Sequence, residues 1–394
     1  MARDQRRPVA GMPPRGLTFQ LATVALILVS VAAMGFFMAR LPRQPQTSVP
    51  AASTPEAPPP PVAAAPLQLA AAPQAPPANA DAERLFAGWP RPEVALVISG
   101  QAHGYLQPCG CSSPQLGGLA RRYQFVQNLK ARGWPVIAVD LGDVPQRNGP
   151  QRLLKYKTYM EALKLLDYTA AGVGQNEMAM PLIAALGEFS LNNKTPRVLA
   201  SNLLDRQKNF PEMIDDAIAL AGGQNGLPRV GVTSVVAPSV AGQVQDEELR
   251  FEPVDKALPG LLRELDAQKP DLRVLLFQGS LEEAKACASK FPQFQVIVCL
   301  SEASEPSGRP EQVGATLIIS VGHKGRYVGV VGARRPSGAN TPYEMRYQLV
   351  SIGPEYETPS GQEKSNPVMA LMERYATEVK EGNYLAKYQQ AQHA

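Results

Sequence analysis

Cysteine and histidine are scarce in this chain. Only four cysteines and three histidines occur among 394 residues. Four cysteines are too few to build a scaffold from disulfide bonds, so the fold must depend on a hydrophobic core. The hydrophobic content of 44% is sufficient for such a core. No Cys-x-x-Cys-His sequence occurs, which excludes a covalently attached c-type haem on this chain.

An excess of one charge sign is also missing. The formal net charge is +4 and charged residues make up 19% of the chain. Nucleic-acid-binding proteins usually carry a concentrated basic surface, and the sequence has no such signature.

Charged residues are absent from residues 17–39, which are largely apolar. At about 1.5 Å per residue, a helix of this length spans a hydrocarbon core of about 30 Å. Four arginines lie in the preceding segment, 1–16, and favour a cytoplasmic N-terminus. The sequence therefore predicts a single-pass membrane helix with the main domain outside the cytoplasm. A cleaved signal peptide is the alternative, although no small-x-small cleavage site directly follows the run.

Large apolar residues are few between positions 40 and 92, where Pro and Ala dominate. Such a segment cannot bury enough apolar surface to offset the entropy of ordering. We interpret it as a disordered, extended linker that separates a domain from the membrane.

From Val94 onward, short apolar runs alternate with segments that have apolar residues at helical spacing. Apolar runs bounded by glycine and polar residues are typical of buried strands. The alternation predicts an α/β domain over 93–353, followed by a linker and a helix over 354–394. The clearest runs are 94–98, 136–139, 272–277 and 296–299.

Chemically reactive residues directly follow the first strand. His103 is one of the three histidines, and Cys109 and Cys111 are two of the four cysteines. Open α/β sheets bind ligands beyond the carboxyl ends of their strands. The segment 99–111 is therefore the first candidate for a functional site.

Turn sequences that follow the successive strands form an ordered series. The turns are Gln101-Ala102-His103-Gly104, Asp140-Leu141-Gly142-Asp143, Gly174-Gln175-Asn176-Glu177, Phe277-Gln278-Gly279, Leu300-Ser301-Glu302 and Gly322-His323-Lys324-Gly325. This series resembles the metallophosphoesterase (calcineurin-like) domain of 5′-nucleotidases over about 94–352. The resemblance implies a four-layer αββα sandwich with two stacked sheets. It also implies a site in which two divalent metals activate water against a phosphate ester.

The chain departs from the family pattern at most metal-binding positions. His103 and Asp143 stand at metal-ligand positions of the resemblance. Amide side chains stand at four further positions: Gln101 replaces an aspartate, Gln175 an asparagine ligand, Asn176 the catalytic histidine and Gln278 a ligand histidine. The paired histidines of the family are missing. A neutral amide is a poor ligand for a hydrolytic two-metal centre and cannot act as a general acid. The ordinary mechanism is therefore predicted to be lost.

The Cys109-Gly110-Cys111 segment suggests a rebuilt site. Thiolate and imidazole ligands suit zinc or another transition metal. His103, Cys109, Cys111 and Asp143 are predicted to hold one divalent ion. A disulfide is the first alternative, with Cys299 as one partner, because a ring closed between Cys109 and Cys111 strains disulfide geometry. Free thiols are the second.

Other polar residues at the same edge have weaker predicted roles. We expect Asp140 to orient its turn rather than bind metal. Glu177 is either part of the site or a structural carboxylate, and Asn202 either faces the rim or caps the next segment. His323 lies in a hairpin turn that the resemblance brings toward the site.

Two functions follow from these observations. The first is a membrane-anchored, divergent phosphoesterase with a phosphate-ester ligand and a rebuilt metal site. The second is a catalytically inactive metal- or partner-binding module of an envelope or redox complex. The Pro-Cys-Gly-Cys segment and the following Gly117-Gly118-Leu119-Ala120-Arg121-Arg122 resemble a divergent branch of the superfamily with members joined to cytochrome segments. That resemblance implies an envelope or cytochrome-type protein partner.

Overall fold

The computed structural model describes most of the predicted α/β domain and the C-terminal region. The described residues are 85–110, 113–180, 189, 195–204, 217–224, 226–244, 249–336 and 341–393. The predicted N-terminal segment, the membrane helix over 17–39 and most of the linker lie outside them and stay predictions. None of the helices in the described ranges combines the length and the apolar content that a membrane span requires.

The strands and helices alternate along most of the chain. The strands are β1 Val94–Ser99, β2 Val136–Asp140, β3 Tyr168–Gly172, β4 Arg197–Leu199, β5 Leu203–Leu204, β6 Ile218–Ala221, β7 Val230–Val236, β8 Arg250–Phe251, β9 Leu272–Gln278, β10 Val296–Cys299, β11 Glu311–Val313, β12 Thr316–Ile319, β13 Tyr327–Arg334 and β14 Glu344–Ser351. The helices are α1 Leu119–Ala131, α2 Arg152–Leu165, α3 Gln175–Met178, α4 Pro238–Ala241, α5 Val254–Ala267, α6 Leu281–Lys290, α7 Pro367–Glu381 and α8 Tyr384–His393, with short 3₁₀ helices at Pro354–Tyr356 and Glu363–Ser365.

Two six-stranded mixed sheets form the centre of the domain. Their strand orders are β14-β13-β1-β2-β3-β4 and β11-β12-β10-β9-β7-β6. Strands β1 to β4 run parallel, and β13 joins them antiparallel to β1. The α/β architecture with two sheets that the sequence predicted is confirmed.

The two sheets pack face to face through their apolar residues. Leu96 and Ile98 of β1 belong to the same buried cluster as Val232 of β7 and Val274 of β9. The alternate residues of β1, such as Val97, face the helices on the other side of the sheet. A strand that is buried on both faces requires a continuous apolar run, which is what 94–98 provides.

Helices cover the outer face of each sheet. Apolar residues of α1, α2 and α7 pack on the first sheet, and those of α5 and α6 pack on the second. Helix α7 lies against its own domain, with Val368 and Leu371 buried. The C-terminal helix predicted within 354–394 is divided near Asn383, whose φ of 48° ends α7 before α8 begins.

Candidate functional site

The candidate site lies where the loops after β1, β2 and β3 meet the loop after β10 and the turn before β13. Backbone hydrogen bonds connect these loops. Gln101 N donates to Gly142 O at 2.7 Å, His103 N donates to Asp143 O at 3.0 Å, and Lys324 N donates to Gln101 O at 2.8 Å. The loops therefore form one connected edge rather than independent turns.

Four side-chain-bearing residues at this edge have left-handed backbone conformations. Their φ values are 47° at Gln101, 49° at His103, 56° at Asp143 and 65° at Lys324. Residues other than glycine adopt this region uncommonly, and such strain tends to cluster at functional sites. The edge is held in a conformation that the local sequence does not favour, which requires strong tertiary contacts.

Glu177 supplies several of those contacts. Its Oε2 atom accepts hydrogen bonds from Asp143 N at 3.1 Å and Gly174 N at 2.9 Å, and Oε1 accepts from Val144 N at 2.8 Å. The side chain is 1% exposed. Burial, together with the Asp143 charge, raises the pKa of Glu177 to about 8. Two roles were left open for Glu177, and these contacts agree with that of a structural carboxylate.

His103 is held in one tautomer by Asn176. Asn176 Nδ2 lies 2.9 Å from the Pro145 carbonyl oxygen and 3.0 Å from His103 Nδ1. A carbonyl oxygen accepts only from the amide nitrogen, so Nδ2 is the donor to both, and His103 Nδ1 is an acceptor. Burial and the charges of His323 and Lys324 lower the pKa of His103 to about 4. The ring is thus neutral near pH 7 and carries its hydrogen on Nε2.

Gln101 and His323 both bind the backbone of Ser301. Gln101 Oε1 accepts from Ser301 N at 2.7 Å, and Gln101 Nε2 donates to Ser301 O at 3.3 Å. His323 Nε2 donates to the same carbonyl oxygen at 2.8 Å. These bonds join the loop after β10 to the loop after β1. They also bring His323 to His103, with ring centroids 5.1 Å apart.

Asp143 points into the same edge and is 6% exposed. Its Oδ1 atom accepts a hydrogen bond from Asn176 N at 2.9 Å. Burial raises the pKa of Asp143, although the hydrogen bond from Asn176 and the charge of His323 oppose that rise. A β-carbon at position 174 would lie 2.5 Å from Asp143 Oδ1, so Gly174 is required for this approach.

Asp140 lies beneath the site in a buried polar cluster with Arg122. Ser99 Oγ is 2.5 Å from Asp140 Oδ2, and Tyr159 donates to the same oxygen at 3.0 Å. Arg122 Nη1 lies 3.8 Å from Asp140 Oδ2, and Asp140 Oδ1 accepts from Gly142 N at 2.9 Å. The prediction that Asp140 orients its turn agrees with these contacts.

The three remaining amides point to other partners. Gln175 donates to Gln243 at the surface, and Asn202 joins the end of β7 to the residue after β8 through the Val236 and Glu252 backbones. Gln278 donates to Leu141 O, while its buried Oε1 atom has no hydrogen-bond partner in the described part of the chain.

The cysteines are in two chemical states. Cys109 is disulfide-bonded, whereas Cys287 and Cys299 are buried free thiols whose pKa burial raises to about 12. A bond between Cys109 and Cys299, one pairing considered from the sequence, is therefore excluded. Cys111 lies outside the described residues. The predicted one-metal site at His103, Cys109, Cys111 and Asp143 stays a prediction.

The described donors do not fit the two-metal centre that the resemblance implied. No group of three or more His, Cys, Asp or Glu side chains in the described ranges is arranged to hold a metal ion. Both amide atoms of Gln101 bind Ser301, and Gln175 faces away. His323 uses Nε2 as a donor, so that nitrogen has no lone pair for a metal.

Sequence reasoning missed three residues of this arrangement. Ser301 acts through its backbone, which no side-chain pattern reveals. Lys324 was noted only as part of a turn, yet its ammonium lies 5.0 Å from the Tyr105 ring centroid beside the site. Arg122 was noted only as part of a segment of the sequence, yet it is 1% exposed.

A known relative and several solved structures are similar to this chain. No protein-family model matches it. A 5′-nucleotidase from Diplobatis ommata is 27% identical over 195 residues, which are 48% of this chain and 33% of that protein. The match therefore spans about a third of the relative's length.

Solved structures share the fold at low sequence identity. Sulfate thiohydrolase SoxB from Thermus thermophilus superimposes with a TM-score of 0.60 at 14% identity, covering 74% of this chain and 62% of that one. A 5′-nucleotidase precursor, also from Thermus thermophilus, gives 0.58 at 19% identity, covering 73% and 59%. The calcineurin-like phosphoesterase YfkN from Bacillus subtilis gives 0.55 at 13% identity, covering 73% and 98%.

The sequence resemblance and the superpositions point to the same architecture. The chain spans about three fifths of the SoxB and 5′-nucleotidase structures and nearly all of YfkN. The chain resembles the 5′-nucleotidases, and its two-sheet domain has the metallophosphoesterase (calcineurin-like) fold.

Proposed function

We propose that this chain has a phosphoesterase-like function and binds the phosphate group of a phosphate ester at the edge that contains His103 and His323. One observation carries the proposal. On a fold shared with phosphoesterases, five loops bring two imidazoles to a centroid distance of 5.1 Å at the carboxyl end of the sheets. That end is where α/β sheets bind ligands.

The chemistry of the edge suits a phosphate oxygen. Phosphate accepts short, strong hydrogen bonds from nitrogen donors, and a nearby ammonium strengthens them. His103 presents Nε2–H because Asn176 occupies Nδ1. Lys324 follows His323 in the adjacent turn and interacts with His103 through its charge. These groups supply donors and positive charge at one place.

The ligand to test first is a nucleoside 5′-monophosphate, because the curated relative and one superimposed structure are 5′-nucleotidases. We expect one molecule to bind per chain in isothermal titration calorimetry on the full chain in detergent. The corresponding nucleoside, which lacks the phosphate, is expected not to bind. Equal binding of nucleoside and nucleotide would contradict phosphate recognition.

Phosphate release in the same samples separates the two functions considered from the sequence. Release above the level of a His103→Asn variant would identify a hydrolase. Stoichiometric binding without release would identify a binding module.

The one-metal site remains part of the proposal for the reduced protein only. A metal-binding cysteine must be a thiolate, and Cys109 is disulfide-bonded. We therefore expect elemental analysis of the oxidised chain to find no stoichiometric zinc. Uptake of one zinc per chain after reduction, abolished by Cys109→Ser, would support the predicted ligand set. Stoichiometric zinc in the oxidised chain would contradict our assignment.

Location and partners are also proposed from the sequence. The disulfide at Cys109 supports an extracytoplasmic domain, because such bonds persist mainly in oxidising compartments. A membrane helix over 17–39 and an envelope or cytochrome-type partner complete the proposal. Reporter fusions on either side of 17–39 test the orientation. Reporter activity in the cytoplasm from a fusion after residue 92 would contradict it.

A further inference from the structure

The positions that the fold family uses for metal ligands are joined here by hydrogen bonds. Gln101 binds both backbone groups of Ser301, and Asn176 Nδ2 binds His103 and the Pro145 carbonyl. These bonds connect the loops after β1, β2, β3 and β10. A metal pair would connect the same loops through its ligands, so neutral amides now provide the connection.

His103 presents a hydrogen-bond donor at this edge. In a neutral imidazole, one nitrogen carries the hydrogen and the other accepts. Because Nδ1 accepts from Asn176, Nε2 carries the hydrogen, and a metal at Nε2 requires the ring to change tautomer and give up this bond. Within the described residues, no hydrogen bond is made by Nε2. His103 is half-buried rather than fully enclosed.

Charged groups of both signs lie near His103. Lys324 is in the adjacent turn, with its ammonium 5.0 Å from the Tyr105 ring centroid, and Lys155 Nζ donates to Gln146 Oε1 at 2.7 Å. Glu177 accepts three backbone hydrogen bonds, and Asp143 accepts one from Asn176. Both carboxyl groups are thus held by backbone N–H groups.

We infer that this edge binds a tetrahedral oxyanion directly, through His103 Nε2–H and the Lys324 ammonium, without a metal pair. The inference rests on the proposed phosphate-ester function and states how that phosphate is held. Gln101 and Asn176 are positioning residues: they fix the loops and the His103 tautomer but do not touch the ligand.

The test compares phosphate binding with and without metal. Full chain in detergent is titrated with a nucleoside 5′-monophosphate and with inorganic phosphate, first in EDTA and then with added Mn²⁺ or Zn²⁺. We expect the same affinity in all three conditions. We also expect it to fall as ionic strength rises, since the lysine charge is screened.

Two substitutions at His103 separate its nitrogens. In His103→Asn, an amide oxygen near the Nδ1 position still accepts from Asn176, but the outward donor is removed. We expect affinity to fall about tenfold or more, the usual loss for a hydrogen bond to a charged group. In His103→Gln, an amide nitrogen reaches the Nε2 position, and part of the affinity is expected to return.

Lys324→Gln tests the inference with a substitution outside the loop that carries His103. It is expected to weaken binding about tenfold and to reduce the salt dependence. Lys290→Gln is the matched control, because Lys290 is an exposed lysine on α6 that pairs with Asp255. Its affinity should equal that of the unchanged chain. Circular dichroism of each variant verifies that the domain is folded.

The outcomes distinguish this inference from the function on which it rests. Binding in EDTA that is lost in both His103→Asn and Lys324→Gln supports both. Binding that requires added metal overturns the direct-oxyanion inference and leaves the proposed function standing. Binding in EDTA that neither variant weakens also overturns the inference. No phosphate binding in any condition overturns both.

Discussion

Replacing Asp140 by alanine is expected to lower the free energy of unfolding by about 3–5 kcal/mol, the usual cost of leaving one partner of a buried ion pair uncompensated. Asp140 is fully buried, and Arg122 beside it is 1% exposed. Arginine stays protonated in proteins, so the guanidinium cannot neutralise itself when its partner is removed. The substitution also removes acceptors for Ser99, Tyr159 and Gly142 N.

Urea unfolding followed by circular dichroism measures this change. The control is Arg374→Ala, which breaks an exposed ion pair with Glu161 and should cost about 1 kcal/mol or less. Adding Arg122→Met to Asp140→Ala removes the uncompensated charge, so the double variant should regain part of the loss. An Asp140→Ala variant no less stable than Arg374→Ala would show that the buried pair contributes little.

The second large effect is expected at Glu177. Folding raises the pKa of this carboxyl from 4.5 to about 8, mainly through burial. Between these pH values the native chain holds a proton that the unfolded chain releases. Stability from this group is therefore complete below about pH 4.5 and is lost as the pH rises through 8. The free energy of unfolding should fall by about 1.4 kcal/mol for each unit by which the pKa is raised.

Glu177→Gln removes this titration and is the appropriate comparison. Its amide nitrogen cannot accept from the backbone N–H groups that Glu177 binds, so stability should fall at every pH by about 1–3 kcal/mol for each unsatisfied donor. The free energy of unfolding of the variant should also show no decline between pH 4.5 and 8 from this group. If the free energy of unfolding changes with pH in parallel for the two proteins, Glu177 does not carry the titrating proton.

The fold was predictable from the sequence because its signals are local and repeated. The run 94–98 is buried on both faces, and such strands require uninterrupted apolar residues. The turn sequences after the strands appear in the order of a known fold. His323 was expected near the site on the same basis, and it lies beside His103.

The interior of the site was less predictable because its contacts join distant parts of the chain. The helical pattern around Arg122 gives no sign that Asp140 arrives from the next strand to bury the guanidinium. Gln101 was understood as a lost metal ligand, whereas its amide matches the backbone of Ser301, 200 residues away. The chemical state of Cys109 depends on oxidation, which a sequence pattern does not encode.

The C-terminal helix α8 reaches the rim of the candidate site. Tyr388 accepts a hydrogen bond from Gln146 Nε2 at 2.6 Å, and Gln146 Oε1 accepts from Lys155 Nζ at 2.7 Å. A β-carbon on Gly104 would lie 2.9 Å from the Gln146 Cβ atom. These two hydrogen bonds therefore lie directly beside His103. Undocking of α8 would remove Tyr388 from Gln146 and so release Gln146 and Lys155. Any binding measurement on this protein therefore has to control for the placement of a C-terminal affinity tag.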